Sequence, residues 1–148
     1  MMIPQQPHIT GELVPTARYR IQNVRWPLSY LELPDPNDGS EVISALDQNK
    51  KTQFWNVLDL GHGKHSIMNQ GSAKYANSGP RGKDGSPIVG SSNVQELKIT
   101  ECSVKGTYTI GPTDGTLFWG LPDERVGAQL QLDAIPTERN LWLFIRVD

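Results

Sequence analysis

Residues 52–60 read TQFWNVLDL: a polar Gln53 stands two places before Trp55, an apolar alternation follows, and the hydrophilic run DQNKK (47–51) precedes it. A surface strand entering a core with a tryptophan anchor has this pattern. If the stretch is one copy of a repeated unit, related stretches must recur at a fixed spacing, and they do. Tyr19-x-Ile21, His65-x-Ile67 and Tyr108-x-Ile110 lie 46 and 43 residues apart. Tyr30, Tyr75 and Phe118 are separated by 45 and 43, and Trp55, Leu97 and Trp142 by 42 and 45. Val42, Ile88 and Leu130, separated by 46 and 42, each follow a turn: NDGSE, KDGSP and ERVGA.

Short apolar alternations broken by Gly, Pro, Asn and Asp run along the whole chain, and no segment sustains a helical apolar period. The expected strands are 18–23, 29–33, 41–46, 52–60, 64–69, 73–77, 87–91, 94–100, 107–111, 116–121, 128–134 and 140–147. They divide into three sets of four, with repeats at about 16–61, 62–104 and 105–148. One unit of four short strands has too few apolar residues to fold alone, so the three must share a core. A threefold set of four-stranded units closing on itself is a β-trefoil, and closure removes the exposed sheet edges that an open antiparallel sheet would have to protect. The predicted architecture is therefore all-β: one trefoil domain over 16–148, preceded by an extended arm over 1–15 that carries three prolines.

Composition narrows the function. At 148 residues the chain has the length of one domain. Its net charge of −2 leaves no basic field to attract nucleic acid or anionic lipid, so neither is an expected partner. No positive segment followed by an apolar run opens the sequence, and nothing approaches a membrane span, so the expected location is the cytoplasm. Cys102 is the one cysteine, which rules out an intramolecular disulfide and suits a reducing compartment. Between ITE and SVKG it reads as a buried small hydrophobe.

Catalytic signals are weak. His62 and His65 in GHGKH stand three apart in a Gly-rich turn with no carboxylate or third ligand nearby, so no metal site is expected. GSPIVGSS lacks the Lys and the following helix of a phosphate-binding loop. The expectation is binding rather than enzymatic chemistry, with no cofactor.

At the level of motif, the first unit, RYRIQNVRWPLSYLELPDPNDGSEVISALDQNKKTQFWNV, resembles the repeat of ricin-B-type lectin domains of fungal type: a Y-x-I-x-N-V strand, a Y-L-D-L-like strand, a D-G-x-x-V turn and a closing Q-x-W. Units two and three keep the layout but close on Gln95-Glu96-Leu97 and Asn140-Leu141-Trp142. The resemblance implies that Trp55 fills the shared core while Gln53 reaches a neighbouring backbone group. It also implies a glycan partner, held by an Asp in the second strand, an aromatic platform and an Asn before the Q-x-W. Unit one has Glu32, Ala45 or Leu46, and Thr52 at those three places; units two and three have Ala76 or Asn77 and Gly120 or Leu121 near the carboxylate. The implied sugar pocket is thus degenerate, with Tyr30, Glu32, Asp38, Thr52 and Gln53 as its residues. Trp26, Trp119 and Tyr75 are the candidate stacking rings.

The third unit is similar, over a shorter stretch, to the C-terminal repeat of mushroom β-trefoil peptidase inhibitors, in its Y-T-I start, W-x-x-P-D-E stretch and apolar last strand. That likeness implies an exposed basic loop entering the cleft of a serine or cysteine peptidase. Arg81 and Lys83 of NSGPRGKDGSP and Arg139 of AIPTERN are its candidates. A third expectation is an accessory subunit docking on a larger enzyme.

Overall fold

The computed structural model describes residues 13–134 and 136–148. Among them are twelve strands: β1 (Ala17–Asn23), β2 (Tyr30–Glu32), β3 (Ile43–Ala45), β4 (Trp55–Gly61), β5 (Lys64–Asn69), β6 (Tyr75–Asn77), β7 (Val89–Ser91), β8 (Leu97–Glu101), β9 (Tyr108–Pro112), β10 (Phe118–Gly120), β11 (Gln131–Asp133) and β12 (Trp142–Arg146). Each expected strand is present. The main departure is at the starts of β4 and β12, where Lys51–Gln53 and Glu138–Asn140 form 3₁₀ turns instead of extended chain. The reason is local: Gln53 and Asn140 are fully buried polar side chains, and the tight turn directs them inward to partners rather than along a strand.

Six strands close a barrel, since β1 pairs with β4 and β12, β5 with β4 and β8, and β9 with β8 and β12. The other six form three hairpins, β2–β3, β6–β7 and β10–β11, that cover one end. The sequence repeats coincide with the structural ones. Tyr19 pairs with Trp55, His65 with Leu97 and Tyr108 with Trp142, so two of the repeated position families face each other three times around the barrel. This is a β-trefoil.

The third family lies on the axis. The Val42 amide donates to the Ile88 carbonyl at 3.1 Å, Ile88 to Leu130 at 3.0 Å and Leu130 back to Val42 at 2.9 Å, a closed ring of backbone hydrogen bonds. The Gln129 Nε2 amide lies over that ring, 3.0–3.3 Å from the same three carbonyls. Three residues earlier in each unit, Gly39, Gly85 and Gly127 have φ of 88°, 90° and 91° and donate their amides to Gly90, Leu132 and Ser44 of the neighbouring hairpins. A left-handed backbone at each turn requires the glycine.

The core holds Trp55, Leu97 and Trp142, all essentially inaccessible, as the position family predicts. Trp55 Nε1 donates to the Leu31 carbonyl and Trp142 Nε1 to the equivalent Trp119 carbonyl, each at 3.1 Å, so both buried indoles are satisfied. The first twelve residues of the expected arm lie outside the described residues. Its last part is packed: Val14 is buried in the core, His65 Nε2 meets its carbonyl at 2.9 Å, and the Tyr19 hydroxyl donates to Pro15 at 2.7 Å.

Candidate functional site

In unit one the Q-x-W turn assembles a carboxylate cluster. Gln53 is anchored by donating from Nε2 to the Leu46 carbonyl at 2.7 Å and accepting the Gln48 amide at 2.8 Å, which is the backbone role read from the motif. The same Nε2 faces Glu32 Oε1 at a long 3.5 Å. Thr52 Oγ1 donates to Glu32 Oε2 at 2.6 Å, and Lys50 Nζ stands 3.3 Å from that oxygen. The Glu32 side chain is 6% exposed and that of Lys50 50%, so the carboxylate is held below the surface under one flexible cation.

Unit three contains the same device by a different route, and here the sequence reading needs correcting. Gly120 occupies the Glu32 position, which marked the unit as lacking a carboxylate. Asp133 supplies it from the adjacent strand, at the place equivalent to Ala45, because Phe118 pairs with Asp133 as Tyr30 pairs with Ala45. A Cβ on Gly120 would overlap Asn140 Nδ2 and Asp133 Oδ2, so the missing side chain is what admits the carboxylate. Asn140 Nδ2, in the Gln53 position, donates to Asp133 Oδ2 at 3.0 Å, Gln131 Nε2 donates to Oδ1 at 3.2 Å, and Arg139 Nε lies 3.4 Å from Oδ2. Two units therefore each bury one carboxylate against the amide of the closing motif, beneath one basic side chain. In unit two Gln95 bonds instead to Ser78 and Gly79.

Asp38 does not join Glu32. It is exposed and bound to Lys74 Nζ at 2.9 Å and to Ser92 Oγ at 2.7 Å, and these hydrogen bonds, that of Lys74 foremost, hold its carboxyl below the usual carboxylate range. Tyr30 lies beside the cluster with the Arg20 guanidinium 5.8 Å from its ring centre, and Arg20 pairs with Asp47. Of the proposed stacking rings, Trp119 is buried in the core and is excluded, because no ligand can reach it. Tyr75 is half-buried beside Met68, and Trp26 is half-buried with two depressions against it.

Asn23 was passed over in the sequence as part of a strand motif, yet it positions Trp26. Its Oδ1 accepts the Trp26 amide at 3.0 Å and its Nδ2 donates to the Arg139 carbonyl at 2.9 Å. Asn69 does the equivalent work for unit two, donating to the Thr52 carbonyl at 2.9 Å. The buried Asn at this repeat position is the signal that would have found it.

Among the loop residues, Arg81 and Lys83 are exposed, whereas Arg139 is engaged with Asp133. The Gly-rich loop around Arg81 is pinned rather than loose: Gly79 N donates to Asn77 at 2.7 Å, Lys83 N to Ser86 Oγ at 2.9 Å and Gly85 N to Leu132 at 2.7 Å. Cys102 is only partly buried just beyond β8, not the core residue expected, and burial raises its thiol pKa. Among the described residues no His, Cys, Asp or Glu cluster fit to hold a metal ion occurs.

No family model and no curated protein matches the chain. Solved structures do. The Rhizoctonia solani agglutinin is 20% identical with a TM-score of 0.83, and a Macrolepiota procera ricin B-like lectin, solved in complex with lactose, is 18% identical at 0.81. Each comparison covers 92% of this chain and 99% of the other. A designed threefold-symmetric protein, ThreeFoil, is 16% identical at 0.81, covering 88% of this chain and 99% of its own. At these identities the likeness establishes the fold, a β-trefoil.

Proposed function

We propose that the protein is a non-catalytic, carbohydrate-binding β-trefoil whose primary site is the Glu32 cluster. The observation that carries the reading is the recurrence of one arrangement, a buried carboxylate braced by the closing-motif amide and covered by a single cation, in units one and three. A carboxylate so placed accepts hydrogen bonds from adjacent sugar hydroxyls. Lys50 is the group a sugar would displace. Lys50 is half exposed, and Thr52 and Gln53 remain on Glu32 when the lysine leaves, so the carboxylate keeps hydrogen bonds through the exchange. The lectin likeness in fold is consistent with this reading.

A glycan array with the full chain, followed by titration of the best binder, tests it. Glu32→Gln weakens binding through a lost charge-assisted hydrogen bond worth about 1–3 kcal/mol, while Lys50→Ala leaves binding equal or tighter. Unaltered affinity in Glu32→Gln removes the site.

A second reading, inhibition of a trypsin-like peptidase, is favoured by the hydrogen-bonded loop that carries exposed Arg81, since a loop ordered beforehand spares the ordering cost of binding. Failure of the parent protein to inhibit trypsin at micromolar concentration discards it.

A further inference from the structure

Eight large aliphatic side chains are exposed among the described residues, and three of them, Leu28, Leu46 and Val126, converge on one cleft of about 240 Å³ beside Trp26. Leu28, at 74%, is the most exposed of the eight. The cleft runs between units: Trp26 and Leu28 come from the β1–β2 loop, Leu46 follows β3, and Val126 with Glu124 comes from the β10–β11 turn of unit three. Ser44 also lines it, and its hydroxyl is buried with no hydrogen-bond partner among the described residues. Arg25 and Glu124 stand at the cleft and neither is in an ion pair among those residues. The cleft adjoins the carboxylate cluster, because the Leu46 carbonyl is the acceptor that anchors Gln53.

We infer that this cleft is a subsite for a methyl-bearing pyranose, an N-acetylated or 6-deoxy sugar, taking the carbohydrate reading for its ligand class. The indole offers the flat apolar surface on which a pyranose face packs. The aliphatic side chains take the methyl group out of water, which a sugar with hydroxyls alone cannot exploit. Arg25 and Glu124 at the cleft supply donors and acceptors for the ring hydroxyls. A macromolecular partner fits less well: the feature is a concave cleft of about 240 Å³, the shape of a small-molecule site, whereas a protein interface spreads over roughly 500 Å² or more on each partner.

The test is an NMR titration of the full chain with the methyl glycosides of N-acetylglucosamine, L-fucose and glucose at millimolar concentration. The other three tryptophans are buried, so the Trp26 indole N–H is a distinct reporter. The N-acetylated or the 6-deoxy sugar shifts that resonance and the methyls of Leu28, Leu46 and Val126, whereas glucose leaves them in place. Val126→Ser and Leu28→Ser, both at exposed positions, each weaken the methyl-bearing ligand by about fourfold, the value of one methyl group removed from water. Shifts at the Glu32 cluster alone, or equal responses to all three sugars, overturn the inference and leave the carboxylate reading standing. Shifts at the cleft that persist in Glu32→Gln, with none at the Glu32 cluster in the parent, support the inference and overturn the carboxylate site. No shift with any sugar overturns both, and shifts that follow protein concentration instead assign the cleft to a second copy of the chain and overturn the subsite.

Discussion

Replacing Gly120 with Ala places a methyl group where the Asp133 carboxylate and the Asn140 amide now sit, and the structure sets the cost. Asp133 is 4% exposed and held by Asn140 at 3.0 Å, Gln131 at 3.2 Å and Arg139 at 3.4 Å. Overpacking a buried site costs about 1–3 kcal/mol, and a hydrogen bond lost from a charged group about 1.5–3 kcal/mol. The side chain can swing partly toward solvent beside Arg139, so the expected loss is about 3 kcal/mol. For a domain of this length that lowers Tm by about 6–12 °C. The decisive variant is the double exchange Gly120→Glu with Asp133→Ala, which rebuilds in unit three the arrangement of Glu32 and Ala45 in unit one. Each single change is destabilising, one by crowding two carboxylates and the other by removing one of the two acceptors of the Asn140 amide, which keeps only the Trp119 carbonyl. Together they are expected to recover about 1.5 kcal/mol or more over the sum of the singles. Urea denaturation with unchanged m-values measures this. Additivity within about 0.5 kcal/mol would refute the equivalence of the two carboxylate positions.

Trp55→Ala removes a buried indole and its hydrogen bond to Leu31, and is expected to cost about 3–5 kcal/mol in a chemical melt; a smaller effect than that of an exposed-leucine control such as Leu58→Ala would contradict the core assignment. Asp38 has a folded-state pKa below its unfolded value, so its contribution to stability is present above the unfolded pKa and is lost as pH falls through the folded one. Denaturation of Asp38→Asn beside the parent therefore gives a small deficit at pH 7 that disappears in strong acid, and an equal deficit at both pH values would exclude the Lys74 and Ser92 bonds as its source. Burial raises the Cys102 thiol pKa. Its alkylation rate is expected to rise with pH later than that of a free thiol such as glutathione, and an earlier rise would place the thiolate in a stabilising environment.

Much of the fold was legible because a trefoil writes itself three times. The families Tyr19/His65/Tyr108 and Trp55/Leu97/Trp142 recur in sequence because they meet in space around one barrel. The site was harder to read. Gly120 looked like an absence, yet a carboxylate reaches the same place from Asp133, a residue distant in sequence that only the β10–β11 register brings alongside. Trp119 read as a stacking ring because an aromatic beside a turn looks the same whether its side chain points outward or inward. Gln53 and Asn140 were placed at strand starts, where their inward hydrogen bonds demand a 3₁₀ turn. Local pattern carries periodicity well and carries the destination of a polar side chain poorly.

The hydrogen-bonded ring on the axis has a consequence for how this chain can vary. Every link runs from main chain to main chain, so the closure does not register which side chains stand there. Glu41, Pro87 and Gln129 occupy the same place in the three units, and the proline is harmless because the donor is the amide of the residue after it. The residue types restricted on the axis are the three glycine turns and the buried Val42, Ile88 and Leu130. Replacement at the exposed positions of the cap is thus uncoupled from the ring, and each third of the molecule can change its surface while the axis stays closed. A symmetric body with unequal faces is the natural outcome, and its valence is set by side chains alone.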